Sequence, residues 1–312
     1  MDALINVVVP VFGVVLTGYL AGHFGVLGPD SAAALNRFVF YFALPPALFI
    51  YMARAPVEKI FNWPFIGAFV GGELGTLLIA AFVGWFWLRQ DVATRAVAGL
   101  TALQANTVYM GLPVLLTAYG PDGALPPIVA TLWLTLVFIT GVIAVLEATR
   151  ASEESTFRMA AQLVGRVLRN PLVISPLLGI LFSAAELPLP KAASNYLDLM
   201  AATVGPAALF SLGLSLIDRK LTGNIGEVIW LSTLKTVFNP LLTLALITYV
   251  FAMDPFWSKA AVILSAMPTG ANAYVVAQQY NVHVETASSV VVVSTGMSVV
   301  TISVLLIWLG VG

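Results

Sequence analysis

Two clusters of residues that are out of place in an apolar helix carry the chemistry of this chain. The first, TALQANTVYMGLPVLLTAYG (Thr101 to Gly120), sets Asn106, Thr107, Tyr109 and Gly111 ahead of Pro113. The second, SAMPTGANAYVVAQQYN (Ser265 to Asn281), groups Pro268, Thr269, Gly270, Asn272 and Tyr274. Proline cannot donate to the helical ladder and disfavours helical geometry in the residue before it, so each cluster predicts a broken helix. Within lipid, the backbone groups freed by such a break are tolerated only where they line a cavity or are buried in protein. Where two broken helices cross, half-helix N-termini present free amides and positive dipole ends, which suit an anion. Asn106 and Asn272 add neutral amide donors. An anion held in this way meets no permanent cation, which favours release as much as capture. A proline kink with no ligand is the competing reading of either cluster alone; two clusters at equivalent positions favour one shared site.

Two ionisable residues, Glu73 and Lys235, fall deep inside apolar stretches. A charge near mid-bilayer costs about 2.5 kcal/mol or more, so each must be paired, hydrated or neutralised. A carboxylate there can take up and release a proton; a lysine can neutralise an anion or substitute for a bound cation. Each could equally serve as a structural partner for backbone carbonyls or for the other. Arg37, Glu147, Asp198 and Asp218 fall near predicted span ends, where long polar side chains snorkel to the interface. His23 and His283 lie at loop edges without partners at ligand spacing, so no metal site is read. With no cysteine and no phosphate loop, zinc signature or hydrolase elbow, no catalytic residue is assigned.

The elements that must position these groups follow from composition. The chain has 312 residues, of which 60% are hydrophobic and 9% charged, with a mean hydropathy of +0.96. Soluble domains carry roughly 25% charged residues, so this is an all-α polytopic membrane protein. A net charge of −1 gives no reason to expect a nucleic-acid partner. Apolar windows long enough for the bilayer predict ten transmembrane helices, at 3–23, 31–53, 64–88, 93–119, 126–149, 170–186, 190–217, 226–251, 256–280 and 284–310. The start, MDALINVVVP, carries an acidic residue where a signal peptide would be basic, and reads as an uncleaved first span. Trp63, Trp85, Trp87, Trp257 and Trp308 sit at predicted span ends, as an interfacial belt would.

Basic residues orient the chain. With both termini outside, the inner loops hold Arg89, Arg95, Arg150, Arg158, Arg166, Arg169, Arg219 and Lys220, against Arg54, Lys59, Lys191 and Lys259 outside. The polar stretch from Arg150 to Asn170 is then a cytoplasmic linker, either a short interfacial helix or a solvated connector. It separates residues 1–149 from 170–312. The two halves resemble one another: SAAALNRFVFYFALPPALF (Ser31 to Phe49) pairs with AASNYLDLMAATVGPAALF (Ala192 to Phe210), and LTALQAN (Leu100 to Asn106) with LSAMPTG (Leu264 to Gly270). Five spans is an odd number, so the second copy must be inserted upside down. The expected fold is an inverted 5+5 repeat in which broken helices 4 and 9 cross. A two-fold axis would bring Glu73 and Lys235, each about ten residues into equivalent spans, to symmetric depths.

PVFGVVLTGYLAGHFGVLG, NTVYMGLP, RNPLVISPLLGILF, PAALFSLGLSL, MPTGANAYVVAQQYN and VVVSTGMS (Val291 to Ser298) together resemble the auxin efflux carrier family over nearly the whole chain. The resemblance implies a homodimeric ten-span transporter similar in fold to the bile-acid symporters and sodium/proton antiporters. Spans one, two, six and seven form the scaffold; spans three to five and eight to ten form the transport domain. It matches Asn106 to the family's substrate-contacting asparagine. The short central linker and the MPTGAN form of span nine resemble the prokaryotic permeases linked to malate or malonate, whereas Tyr280, Asn281, Val282 and His283 resemble the plant pattern. Plant carriers have a further proline where this chain has Ala273. The expected function is secondary active transport of a small carboxylate, malate- or malonate-like or auxin-like, by elevator-type movement in the bacterial inner (plasma) membrane. No cofactor is implied beyond coupling to H+ or Na+. An anion channel, a membrane enzyme and a receptor that binds without translocating are the alternatives; the lack of grouped Asp, His or Cys argues against the enzyme.

Overall fold

The computed structural model describes residues 4–150, 165, 169–217 and 221–311. The central linker and Asp218 to Lys220 lie almost entirely outside these residues, so the expected interfacial helix is not described. Among the described residues every regular element is helical, and the one extended pairing is an isolated antiparallel bridge between Ala105 and Thr269.

Twelve helices are numbered here: α1 (Ile5–His23), α2 (Pro29–Arg54), α3 (Trp63–Phe86), α4 (Val92–Leu103), α5 (107–119), α6 (125–150), α7 (Pro171–Ala184), α8 (Lys191–Ser215), α9 (Ile225–Tyr249), α10 (Pro255–Ser265), α11 (Ala271–Tyr280) and α12 (Val284–Trp308). Several start where sequence chemistry dictates. Asn62, Asp91, Asn170, Asn224 and Asp254 each accept an amide hydrogen from the first turn of α3, α4, α7, α9 and α10, and proline occupies the opening turn of α3, α7 and α10. The Thr94 backbone amide, 2.8 Å from Asp91 Oδ1, holds that carboxyl below its ordinary range.

Among the described residues seven helices are long and apolar enough to cross a membrane, against ten windows expected from the sequence. The difference has a physical origin. The predicted fourth and ninth spans are each cut into two short helices, and α7 has only 14 residues. The run 107–150 is helical almost throughout, but Gly120 (φ +64) lets it reverse. The Thr107 and Thr131 hydroxyls therefore meet at 2.6 Å although 24 residues separate them.

Two packing groups emerge. In the first, α1 packs on α8 and α2 packs on both α7 and α8; in the second, α3 packs on α4 and α9, and α9 on α12. Backbones touch where α1 meets α8: a Cβ on Gly213 would lie 1.9 Å from the Val15 carbonyl oxygen, and one on Gly18 would lie 2.1 Å from that of Phe210. Close approach of this kind is the main device for packing helices that lipid already solvates. Large apolar side chains such as Phe42, Leu199 and Val304 point outward and are exposed, as a hydrocarbon surround allows. Trp63, Trp85, Trp87 and Trp308 are exposed at helix ends as expected, but Trp257 is not. It is buried with its ring 5.0 Å from that of Phe65 and belongs to the core rather than to an interfacial belt.

Gly213→Ala should lower the stability of the detergent-solubilised protein by about 3 kcal/mol. Gly13→Ala, where a Cβ meets nothing within 4 Å, should leave the melting temperature unchanged. Equal melting curves for both variants would show that α1 and α8 are not locked backbone to backbone.

Candidate functional site

The two breaks meet. Between α4 and α5 the chain is extended at Gln104 to Asn106; between α10 and α11 it is irregular from Ala266 to Gly270. Asn106 N–H donates to the Pro268 carbonyl at 2.9 Å, and Gly270 N–H donates to the Gln104 carbonyl at 2.8 Å. These reciprocal bonds frame the Ala105–Thr269 bridge. Carbonyls left over at the helix ends find side chains. The Thr269 hydroxyl donates to the Thr101 carbonyl at 2.9 Å, and Lys235 Nζ donates to the Ser265 carbonyl at 3.0 Å. Thr269 N–H in turn reaches Ser294 Oγ of α12 at 3.0 Å. On the far side, Gly111 N–H bonds back five residues to the Asn106 carbonyl, so α5 opens with a wide π turn.

With the crossing satisfied in this way, the first turns of α5 and α11 remain without side-chain caps. Both open onto one cavity of about 460 Å³. Of the residues singled out in the sequence, Asn106, Thr107, Tyr109, Gly270, Asn272 and Tyr274 line it. Gly111, Pro113, Pro268 and Thr269 do not: Pro268 and Thr269 build the crossing behind it, whereas Gly111 and Pro113 lie within α5, which runs unbroken through Pro113, so the break expected at that proline falls instead at Gln104 to Asn106. A Cβ on Gly111 would lie 2.7 Å from Leu264 Cδ2, so glycine lets α5 approach α10 closely. Asn106 is 8% exposed and its side chain has no hydrogen-bond partner among the described residues; the buried carbonyl oxygen of the Gln104 side chain also lacks one there. At the Thr107–Thr131 contact, Thr131 Oγ1 also lies 2.7 Å from the Pro127 carbonyl.

Sequence reasoning missed Gln104, Thr131 and the opposite wall, which α2, α7 and α8 supply through Asn36, Arg37, Phe40, Leu172, Leu212 and Ser215. The one available signal was the adjacency of Gln104 to Asn106. Tyr109 Oη stands 3.5 Å from the Asn36 carbonyl oxygen, so α5 abuts α2 beside this wall. Three residues read as snorkelling have specific surroundings. Arg37 lines the cavity. Asp198 forms a two-pronged ion pair with Arg54 at 2.7 and 2.8 Å, and Glu147 accepts from Tyr280 Oη at 2.5 Å. Asp218 lies outside the described residues.

Glu73 and Lys235 do not face the cavity. Both are fully buried, and they face each other, with Nζ 3.2 Å from Glu73 Oε1. Asn239 Nδ2 donates to Glu73 Oε2 at 2.5 Å. The cluster thus ties α3, α9 and the end of α10 together directly behind the crossing. His283, which showed no partner in sequence, lies 3.0 Å from Glu227, a carboxylate that also accepts from Gln90 at 2.6 Å. No group of three or more His, Cys, Asp or Glu side chains suited to a metal occurs among the described residues.

Apolar helices of bilayer length around a cavity at paired helix breaks define an integral membrane protein. Residues 3–306 match the family described as "Membrane transport protein", and the chain belongs to this auxin efflux carrier family. It is 30% identical over 308 residues to the "putative malonate transporter" of Rhizobium meliloti, covering 98% of this chain and 96% of that one. It is 29% identical over 301 residues to an uncharacterized transporter of Methanothermobacter thermautotrophicus, covering 95% of each. To auxin efflux carrier component 8 of Arabidopsis thaliana it is 24% identical over 346 residues, covering 94% of this chain and 92% of that one.

Removing one partner from a buried ion pair costs about 3–5 kcal/mol, whereas replacing both by neutral groups of similar size is far milder. Glu73→Gln and Lys235→Met should each strongly destabilise the protein, and the double variant should recover most of the loss in a double-mutant cycle. Additive losses would show that the two side chains are not coupled.

Proposed function

We propose that this chain is a secondary transporter of small organic anions, carboxylates of the malonate or malate type, with its site at the crossing. The observation that carries this reading is the convergence of two uncapped helix N-terminal turns and the unpartnered Asn106 amide on one cavity. Such a site stabilises negative charge with fixed dipoles and neutral donors. The relative from Rhizobium meliloti is named for a dicarboxylate and the one from Arabidopsis thaliana for a monocarboxylate, so carboxylate is the chemistry that their names share.

The chain crosses the membrane ten times in this reading. α4 with α5 makes one interrupted crossing, α10 with α11 makes another, and the two sets of five are inverted relative to each other. α1, α2, α7 and α8 are the scaffold, and the other helices carry the site. The cavity lies on the boundary between these groups, with Asn36, Phe40 and Leu212 on one wall and Asn106, Thr131 and Asn272 on the other. That placement suits elevator-type movement, in which one group slides past the other with its ligand. Arginines at 89, 95, 150 and 169 favour a cytoplasmic side of the inner membrane for the end of α3, the start of α4, the end of α6 and the start of α7, and α8, which returns after α7 has crossed, then ends on that side too. The cavity, walled by Arg37 and Ser215 near that end, then opens inward.

Uptake of a dianion against an inside-negative potential costs about 2.3 kcal/mol per charge per 100 mV, so import requires co-transported H+ or Na+. Glu73 is the proposed proton carrier, since its protonation would break the contact with Lys235 behind the crossing. The Glu73→Gln/Lys235→Met double variant, which keeps the cluster neutral, should transport with a flattened pH profile in proteoliposomes. An unchanged profile would remove Glu73 from coupling.

Asn106→Ala should reduce malonate flux into proteoliposomes at least about tenfold while leaving the melting temperature of the unliganded protein nearly unchanged. Unaltered flux would place the pocket elsewhere. Saturable flux with trans-stimulation distinguishes a carrier from a channel, and binding without any flux would favour a receptor.

A further inference from the structure

Arg37 is the sole formally charged residue among those lining the cavity; no Asp, Glu, Lys or His side chain joins it there. It is exposed, and it makes no ion pair or side-chain hydrogen bond with any described residue. Three other cations within or at the ends of the helices are held by partners. Arg54 is held by Asp198, Lys235 by Glu73 and the Ser265 carbonyl, and Arg150 by the Tyr280 carbonyl and ring. An arginine that lines a cavity without a counter-ion leaves that cavity with a net positive charge. Its planar fork can engage a carboxylate through two parallel hydrogen bonds.

Position adds to the argument. Arg37 projects from α2, whereas Asn106, the residue before α5, and Asn272 of α11 line the cavity from the crossing side. α5 contacts the α2 backbone at the neighbouring residue, through Tyr109 Oη and the Asn36 carbonyl. One carboxylate seated on the helix N-termini therefore leaves Arg37 facing the other end of a short ligand. We infer that Arg37 selects dicarboxylates over monocarboxylates by taking the second carboxylate. This rests on the crossing being the site of the first. A dianion held so spans both groups of helices, and a monoanion touches only one.

The test uses the purified full chain in detergent at fixed ionic strength. The probes are malonate and monomethyl malonate, which differ in one carboxylate capped as an ester, and affinities come from calorimetry. The wild-type protein is expected to prefer malonate by at least about tenfold. Arg37→Gln should abolish the preference by weakening malonate alone, and Arg37→Lys, which keeps the charge without the fork, should fall between. Asn106→Ala should weaken both acids together. A preference that survives in Arg37→Gln, or that is absent from the wild-type protein, overturns the assignment of Arg37 while Asn106→Ala still reports on the crossing. If Asn106→Ala leaves both affinities intact, or the wild-type protein binds neither acid, the crossing is not a carboxylate site and the assignment falls with it. Arg37 has no protein partner to lose, so its variants should elute and melt as the wild-type protein does.

Discussion

Hydrocarbon cannot solvate an amide hydrogen or a carbonyl oxygen, and every interrupted helix in a bilayer exposes several of each. In this chain the requirement is met mutually. The break before α5 supplies one donor and one acceptor, the break before α11 supplies the complementary pair, and the Ala105–Thr269 bridge is the result. Neither interruption is satisfied without the other. Thr269 extends the arrangement outward, to the Thr101 carbonyl through its hydroxyl and to Ser294 through its amide. The crossing is consequently rigid at its centre, and the amide groups at the starts of α5 and α11 are left over for the cavity.

The same economy governs the buried charges. Lys235 could not stay charged beside a bare carbonyl alone, and Glu73 could not stay charged beside a bare amide. Together with Asn239 and the Ser265 carbonyl they form a closed set, every member of which has a partner at 3.2 Å or less. Formal charge behind the crossing therefore cancels locally, and the electrostatics of the cavity are set by helix ends, neutral amides and the one arginine on its wall. The positive terminus of α11 and the π turn that opens α5 act at short range there, with no acidic side chain on the lining to oppose them.

How much of this is legible in the sequence depends on whether the signal is local. Proline, glycine and asparagine grouped within apolar runs announce the two breaks, whereas lone prolines such as Pro176 and Pro206 sit inside helices that continue. The shared depth of Glu73 and Lys235 is also readable from their offsets. Their mutual contact is not, since it depends on how α3 packs on α9. Arg37 looks like an ordinary residue near a span end, and only the placement of α2 against α5 makes it a cavity wall. Trp257 shows the converse: its position suggests an interface, but a neighbouring Phe65 draws it into the core. The division between 93–119 and 126–149 is legible as well, and the structure places the reversal between them at Gly120, a glycine with positive φ. Pro268 and Thr269 lie at a break and Pro113 does not, and the sequence does not separate residues that build a crossing from residues that face its cavity or that sit in the helix beyond it.

The hydroxyl pair of Thr107 and Thr131 has one more implication. Thr131 has one hydroxyl hydrogen and two oxygens in reach, the Pro127 carbonyl at 2.7 Å and Thr107 Oγ1 at 2.6 Å; when that hydrogen goes to the carbonyl, the contact between the threonines requires Thr107 to donate. Thr107 then turns lone pairs, and no hydrogen, toward the chamber. A bare carboxylate oxygen is repelled at that spot, and whatever atom settles against Thr107 has to bring its own proton, as an alcohol, a carboxylic acid or a water molecule does.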